Sequence, residues 1–205
     1  ADRDLLAATG AAGKALALSR YTWRAIAQST VQHLDHGAEA KASAVSAGFV
    51  LALNDYDSFA IVGGGGTRTQ GLYRAVSRWR PVVFMSFSDN DHLQARKFAE
   101  GITVVNVPKT ANHLEELSRV NSQFHVSAAD IVAGRHCLLN PYLAITYRVL
   151  RQSASCIVIE HCYMADLPRV WGDRFVYSSQ NNETELKKRL LEGHPLIDGL
   201  LKDVE

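Results

Sequence analysis

The first fifty residues carry apolar positions at helical spacing, in a stretch that is rich in alanine. These positions recur at intervals of three, four or seven residues, so they fall near one face of a helix. Gly37 is placed to end this helix, and a second helical stretch is predicted over residues 38–53. The pattern therefore predicts a helical extension over residues 1–53. Its apolar face consists of Leu16, Trp23, Ala27, Val31 and Leu34.

Beyond residue 53 the pattern changes to short apolar runs that alternate with amphipathic stretches. The runs are continuous, as is typical of parallel strands that are buried on both faces. Asn140 and Pro141 stand at the N-cap and first position of one predicted helix, and Asn182 and Glu185 have capping-box spacing in another. The predicted strands are residues 58–62, 81–87, 102–107, 124–132, 156–159 and 174–177. The predicted helices are residues 71–79, 91–101, 112–120, 140–152 and 182–193.

This alternation predicts an α/β fold of three layers, with a mostly parallel, Rossmann-like sheet between helices. The fold class is therefore α/β with an alanine-rich N-terminal helical extension. Residues 54–205 are expected to form one compact α/β unit after the extension over residues 1–53. Ligands of such folds bind beyond the carboxyl ends of the strands, which is where a site is expected.

The composition excludes several classes of protein. The net charge is +1 and both signs are interspersed, unlike the basic face of a nucleic-acid binder, so no nucleic-acid partner is expected. The longest apolar runs are far shorter than a membrane span, so no membrane partner is expected. Three cysteines, and an opening ADRDLLAATG without the pattern of a signal peptide, predict a reducing compartment, and the cytoplasm is the expected location.

Four successive glycines stand between a predicted strand and a predicted helix, in the stretch AIVGGGGTRTQG over residues 60–71. Glycine lets a phosphate approach the backbone, and a helix N-terminus adds a partial positive charge. Thr67, Arg68 and Thr69 would add hydroxyl donors and a cation. The same glycines would also let a helix pack closely on the sheet, and the stretch alone leaves both interpretations open. The four glycines are Gly63, Gly64, Gly65 and Gly66.

Four segments in order resemble the phosphofructokinase family. GITVVNVPKTANHL over residues 101–114 is similar to that family's G-I-P-V-I-G-I-P-K-T-I-D-N-D segment, and IVGGGGT over residues 61–67 to its G-G-D-G-T loop. IVAGRHCLLNPYLA over residues 131–144 and CIVIE over residues 156–160 resemble two later segments. The resemblance implies phosphoryl transfer with Mg²⁺. Gly65 and Asn112 depart from it, because they replace the aspartates that serve the metal and the sugar hydroxyl.

The resemblance also implies a set of ligand-binding residues, and a small phosphorylated ligand, a nucleotide or a sugar phosphate, as the partner. The glycines and Thr67 would line a phosphate site, Lys109 would lie near a phosphate, and two later residues would face the sugar phosphate. The candidate binding residues are Gly63, Gly64, Gly65, Gly66, Thr67, Lys109, Arg135 and Glu160. The sequence identifies no catalytic residue.

A second resemblance gives an alternative function. Residues 154–193 resemble the last segment of retaining glycosyltransferases with two Rossmann domains, which implies binding of a nucleotide sugar. The paired glutamates that hold the donor sugar in those enzymes are replaced here by Pro141 and Val149, and 205 residues are too few for a second Rossmann domain. The positions that match are Leu167, Pro168, Val170, Gly172 and Asp173.

A third alternative is a module without enzyme activity that senses a nucleotide or forms part of an assembly. The N-terminal helices would then form a homo-oligomer surface, with Tyr21 and Trp23 as candidate anchors. Asp89 and Asp91 form a D-x-D pair that is interpreted as a polar loop. A zinc site of His136, Cys137, Cys156, His161 and Cys162 is not predicted, because the spacing contains no C-x-x-C pair; buried free cysteines are expected instead.

Overall fold

The computed structural model describes residues 48–61, 63–124, 127–179 and 183–190. Most of the predicted helical extension, with Tyr21, Trp23 and the proposed oligomer surface, lies outside these residues. None of the helices within the described ranges has both the length and the apolar character needed to cross a lipid bilayer.

Six strands form one sheet in the spatial order β3-β4-β2-β1-β5-β6. All neighbouring pairs are parallel except β3 and β4, which are antiparallel. The sheet is therefore mostly parallel, as predicted, with an antiparallel strand at one edge. The strands are β1 (Phe49–Asn54), β2 (Val82–Ser88), β3 (Gln94–Ala99), β4 (Ile102–Pro108), β5 (Ala154–Ile159) and β6 (Val176–Tyr177).

The helices cover both faces of this sheet, which confirms the three-layer prediction. Residues that alternate along β1 point to opposite faces: Leu51 and Leu53 pack in a core with α3 and α4, whereas Val50 and Ala52 pack with α1. A smaller core joins α2 to α3. The helices are α1 (Gly64–Val76), α2 (Ala111–Phe124), α3 (Ala129–His136), α4 (Pro141–Leu150), α5 (Asp166–Val170) and α6 (Glu183–Leu190), with a 3₁₀ turn at Cys162–Met164.

Helix α4 begins as the sequence predicts. The Asn140 side chain accepts a hydrogen bond from the Leu143 amide at 3.0 Å, and Pro141 takes the first helical position. The Asn140 amide group also donates to the carbonyl oxygen of Pro108 at 2.8 Å. This buried side chain therefore ties the start of α4 to the end of β4. Helix α6 is also found where predicted, although Asn182 of its capping box lies outside the described residues.

The prediction was wrong around the first strand. Residues 49–53 were predicted as helix but belong to β1, in which five consecutive residues are buried. Residues 58–60, predicted as strand, form a turn in which the Asp57 carboxylate accepts a hydrogen bond from the Phe59 amide at 2.9 Å. A run of alanine and aliphatic residues fits either a buried strand or a buried helix, so its period does not decide between them.

Two further elements were assigned to the wrong class. Residues 91–101 were predicted as helix, but residues 94–99 form the edge strand β3, paired with β4. Its side chains are all exposed or only partly buried, and Arg96 and Lys97 are charged, so no alternation of buried and exposed positions marks it as a strand. Residues 124–132 were predicted as strand, but α3 begins at Ala129. Gly134 lets this helix approach Tyr163, because a Cβ at that position would lie 3.2 Å from the Tyr163 Cβ.

Candidate functional site

Strand order reverses between β1 and β5, because the chain runs outward from β1 through β2 and β4 and then returns to β5 on the other side. Loops leave these two neighbouring strands in opposite directions, which opens a crevice at their carboxyl ends. Asp55 follows β1 directly, and His161 follows β5 with one residue between them. The crevice is therefore the position at which this class of fold binds ligands.

A cavity of about 400 Å³ lies at this crevice, and we call it the glycine-turn cavity. Its volume is within the range of about 300–1,000 Å³ that small-molecule sites occupy. It brings together the glycines, the loop after β4 and the ends of β1 and β5. Its lining residues are Asp55, Tyr56, Ile61, Gly63, Gly64, Gly65, Gly66, Lys109, Ser127, Ala129, Asp130 and His161.

The glycines form the first turn of α1. Gly63 is the N-cap with extended backbone, and the helix has no side-chain cap. The Thr67 amide donates to the Gly63 carbonyl oxygen at 2.8 Å, which is the first bond of the helix. Amides earlier in a helix have no intrahelical acceptor, and the helix dipole makes this end partly positive. An anion in the glycine-turn cavity would meet backbone N–H groups without a side chain in the way.

The glycines of this turn differ in how closely other atoms approach them. A Cβ on Gly66 would lie 2.5 Å from the carbonyl oxygen of Ile61 and 3.1 Å from that of Ser58, so only glycine fits there. A Cβ on Gly63 or Gly64 would meet nothing within 4 Å. Close packing therefore requires glycine at position 66. At positions 63 and 64, packing would also allow a larger side chain.

Lys109 follows β4 and brings a positive charge to the glycine turn, while its place beside a phosphate stays a prediction. Its Nζ donates to the Asp89 carboxylate at 2.6 Å. The Asp89 side chain is 88% exposed and that of Lys109 only 16%. Because one partner is in solvent, this ion pair is weakly held and an anionic ligand can compete for the lysine.

Asp55 and His161 join the two strands at the crevice. The His161 Nδ1 lies 3.0 Å from the Asp55 Oδ1, and both side chains are nearly buried. In the sequence, the segment with Asp55 was interpreted as a turn, and His161 was considered only as a zinc ligand. Their position directly beyond buried strands was the available signal, but it required knowing that β1 ends at Asn54.

Glu160 lies outside the lining of the glycine-turn cavity. It is fully buried and accepts hydrogen bonds from the Tyr73 hydroxyl at 2.7 Å and from Arg68 at 2.9 Å. Arg68 also donates to the Ser178 hydroxyl at 3.1 Å. Burial, followed by the charge of Glu160, raises the pKa of Tyr73 well above its ordinary value, so the phenol stays a donor. Glu160 therefore fastens α1 to the end of the sheet.

Arg135 and Thr67 are likewise not among the cavity-lining residues. Arg135 donates to the Glu116 carboxylate at 2.8 Å, and His136 contacts the other oxygen of that carboxylate at the same distance. Burial opposes ionisation, but these hydrogen bonds lower the pKa of Glu116 below its ordinary value. Of the predicted binding residues, the structure thus gathers Lys109 and the four glycines in one place.

A second cavity, of about 560 Å³, adjoins the first and shares Tyr56, Ile61 and Lys109 with it. We call it the polar cavity. It lies at the carboxyl ends of β1, β2 and β4, and residues of β3, which pairs with β4, also line it. Its other lining residues are Asp57, Phe59, Ala60, Phe87, Ser88, Asp89, Asn90, Gln94, Arg96 and Asn106. Sequence analysis singled out only Asp89 among these.

The cysteines have the properties of packed thiols. Burial raises the pKa of Cys137 and of Cys156 to about 12, which keeps both protonated at neutral pH. Cys137 therefore lacks the thiolate that a nucleophile beside His136 would need. In the part of the chain that the structure describes, no three His, Cys, Asp or Glu side chains lie together as a metal site.

No protein-family model and no curated protein matches this chain. Solved structures of trehalose-phosphate synthases are similar to it. The enzyme from Burkholderia vietnamiensis aligns with a TM-score of 0.43 and 14% identity, over 76% of this chain and 37% of that chain. An E. coli structure described as trehalose-6-phosphate bound with UDP-2-fluoro glucose aligns with a TM-score of 0.41 and 16% identity, over 76% and 37%. The chain thus spans less than two fifths of these proteins.

The resemblance to phosphofructokinases is wrong. The contacts of the predicted binding residues disagree with it. Glu160 is enclosed by Arg68 and Tyr73, and Arg135 is held by Glu116, so neither faces a sugar phosphate in the glycine-turn cavity. The expectation of phosphoryl transfer, and of Mg²⁺ with it, rested on this resemblance and therefore has no remaining support.

Proposed function

We propose that this chain binds the diphosphate of a nucleotide sugar in the glycine-turn cavity, as the nucleotide-sugar-binding domain of a glycosyltransferase. One observation carries the proposal: the glycine amides of α1 and the Lys109 ammonium line the same cavity, at the point where strand order reverses. Backbone N–H groups and a helix dipole would bind one phosphate, and the lysine would neutralise charge on it or on its neighbour.

The Asp55–His161 pair supports a ligand larger than phosphate. Both side chains line the glycine-turn cavity beside the glycines. An aspartate oxygen accepts hydrogen bonds from hydroxyl groups, and an imidazole nitrogen donates or accepts one. In the proposed complex, this pair would bind a hydroxyl group of the sugar or ribose while the glycine turn holds the diphosphate.

The segment that resembles glycosyltransferases supports the choice of a nucleotide sugar. Leu167 packs in the core that contains Ile157 and Ile159 of β5, Pro168 is buried in α5, and Gly172 has a φ of 68°, which favours glycine. Asp173 accepts hydrogen bonds from Tyr147 at 2.6 Å and from the Arg151 Nε at 2.5 Å. The residues that carry the resemblance therefore belong to an ordered unit that follows His161 directly in the chain.

Calorimetric titration with UDP, UDP-glucose and GDP tests the proposal. We expect the wild-type protein to bind at least one of them, and Lys109→Ala to weaken that binding about tenfold by removing a charge-assisted hydrogen bond. Lys97→Ala is the matched control, because Lys97 lies on β3 and lines neither cavity. Failure of all three nucleotides to bind, or equal losses in the two variants, would overturn the proposal.

One observation favours a second candidate, a module that binds the nucleotide sugar without transferring the sugar. Pro141 and Val149 stand where the resembling enzymes have their paired glutamates, and the Val149 side chain is exposed on α4. Neither side chain can bind sugar hydroxyl groups through a carboxylate. If UDP-glucose binds and is neither hydrolysed nor used to glucosylate an acceptor sugar, this candidate is supported over the enzyme.

A further inference from the structure

The polar cavity contains polar groups that the fold itself leaves unsatisfied. Asn106 is 4% exposed and Ser88 is 9% exposed, and both line the cavity. The Asn106 Oδ1 and the Ser88 Oγ have no hydrogen-bond partner among the residues that the structure describes. Buried polar atoms without a partner reduce stability, so their presence in a cavity indicates that something else binds there.

The orientation of the Asn106 amide follows from its neighbour. Its Nδ2 donates to the Asp57 Oδ2 at 2.9 Å, and the other Asp57 oxygen accepts from the Phe59 amide. A carboxylate can only accept, so the nitrogen of Asn106 must face Asp57 and the oxygen must face away. The Asn106 oxygen is therefore a fixed acceptor, whereas the Ser88 hydroxyl can donate or accept, and both atoms belong to residues that line the cavity.

The charges that line the polar cavity are already balanced. Arg96 donates to the Asp57 carboxylate at 3.0 Å, and Lys109 donates to that of Asp89 at 2.6 Å. Among the residues that the structure describes, these four are the only Lys, Arg, Asp or Glu side chains in its lining, so the described cations and carboxylates are equal in number. A neutral ligand leaves both ion pairs intact, whereas an anion would have to take Arg96 from Asp57 or Lys109 from Asp89, and Lys109 is the cation that the proposed nucleotide site uses.

The remaining walls are aromatic and amide side chains. Tyr56, Phe59 and Phe87 line the polar cavity, and so do Asn90 and Gln94, which share a hydrogen bond of 3.1 Å. A sugar ring has an apolar C–H face and a rim of hydroxyl groups, which suits aromatic surface beside amides. The volume of about 560 Å³ is sufficient for a small carbohydrate.

We propose that the polar cavity is a second ligand site, separate from the glycine-turn cavity, which binds a neutral, hydroxyl-rich small molecule such as a sugar or polyol. A hydroxyl group of the ligand donates to the Asn106 oxygen, and another exchanges a hydrogen bond with Ser88. The proposal does not depend on nucleotide binding, since these two side chains do not line the glycine-turn cavity.

The test uses D-glucose, sorbitol, myo-inositol and trehalose as probes, with glucose 6-phosphate as the anionic comparison. Saturation-transfer NMR and titration against the full chain should detect at least one neutral probe. Ser88→Ala should weaken its binding about three- to tenfold, the effect of one hydrogen bond, while leaving the protein as stable or slightly more so. UDP-glucose titration of the same variant reports on the proposed function separately and should be unchanged.

Ser86→Ala is the matched control. Ser86 lies two residues earlier on β2, is fully buried and likewise has an unsatisfied hydroxyl among the described residues, but it does not line the polar cavity. Its removal should therefore leave probe binding unchanged. The proposal fails if no neutral probe binds, which would indicate a site filled by water only. It also fails if glucose 6-phosphate binds more tightly than glucose, or if both serine variants weaken binding equally.

Discussion

The carbonyl oxygen of Ile61 lies 2.5 Å from the point where a Cβ on Gly66 would be. The oxygen belongs to the backbone of the turn before α1 and cannot rotate away as a side chain would. We therefore expect Gly66→Ala to displace the first turn of α1 and to lower the free energy of unfolding by about 2 kcal/mol, as overpacking does. Urea denaturation monitored by circular dichroism measures the change.

Gly64→Ala is the control for this substitution, because a Cβ on Gly64 meets nothing within 4 Å. Alanine has the higher helix propensity, so this variant should be as stable as the wild type or more stable by up to about 1 kcal/mol. Equal destabilisation by the two variants would show that the close approach between Gly66 and Ile61 does not hold α1 in place.

The ion pair between Lys109 and Asp89 leads to a prediction about affinity. Asp89→Asn removes the exposed carboxylate that competes with a bound anion for the lysine. UDP-glucose should then bind about two- to fivefold more tightly at low ionic strength, with the unfolding midpoint almost unchanged, because exposed pairs contribute little to stability. Calorimetric titration at two salt concentrations measures the effect.

Asp91→Asn is the comparison for this variant, since Asp91 is exposed and contacts the neighbouring His92 at 2.5 Å. It removes the same charge from the same loop but takes no partner from Lys109, so it should change affinity less. If both variants raise affinity equally, the effect comes from the net charge of the loop and not from release of Lys109.

Arg68 and Glu160 predict a large change in stability. Arg68→Met leaves the buried Glu160 carboxylate with the Tyr73 hydroxyl as its partner from α1. Removing one partner of a buried ion pair is strongly destabilising, and we expect a loss of about 3 kcal/mol, at the low end because Arg68 is partly exposed. Chemical denaturation of the variant gives the value.

Arg78→Met serves as the surface control for that measurement, because Arg78 lies exposed just beyond the end of α1. Its effect should stay within about 0.5 kcal/mol. A loss below about 1 kcal/mol for Arg68→Met would contradict the interpretation of Glu160 as the residue that fastens α1 to the sheet.

The sequence predicted the central strands and the capped helix α4 because their signals are local. β2 and β4 are continuous apolar runs bounded by polar residues, and Asn140 with Pro141 specifies a helix start in two residues. The edge strand β3 has no such signal, because its residues are exposed or only partly buried. They form a strand by pairing with β4, which is a contact of the folded chain.

The candidate site was predicted only in part for a similar reason. The glycines and Lys109 line one cavity, as could be expected from a predicted helix that follows the glycines and a predicted strand that precedes Lys109, but ligand binding by these residues stays a prediction. Asp55 was missed because the end of β1 was misplaced. Glu160 was assigned to the ligand because the sequence does not reveal that Arg68 and Tyr73, one and two turns into α1, reach it first.

His113 predicts how stability depends on pH. Its side chain is fully buried in α2, where it stacks on His136 and meets the Phe87 ring edge-on, and both ring nitrogens lack hydrogen-bond partners among the described residues. Burial, together with the nearby charges of His136 and Lys109, lowers the pKa of His113 to about 4. The carboxylates of Glu116 and Asp89 oppose this shift in part.

The unfolded chain binds a proton at this histidine below about pH 6.5, whereas the folded protein binds it only near pH 4. Above pH 7, His113 should therefore not affect the free energy of unfolding. Between pH 6.5 and pH 4 this free energy should fall by up to about 3 kcal/mol, and below pH 4 His113 should lower it no further. His113→Leu cannot bind the proton, so its unfolding free energy should fall less steeply over this window. The pKa values of Glu116 and Asp173 are also lowered, so protonation of these carboxylates reduces the free energy of unfolding at acidic pH in both proteins. The difference between the two free energies, measured by urea denaturation at each pH, therefore reports on His113. Parallel pH profiles for wild type and variant would show that the imidazole gains its proton as easily in the folded protein as in the unfolded chain.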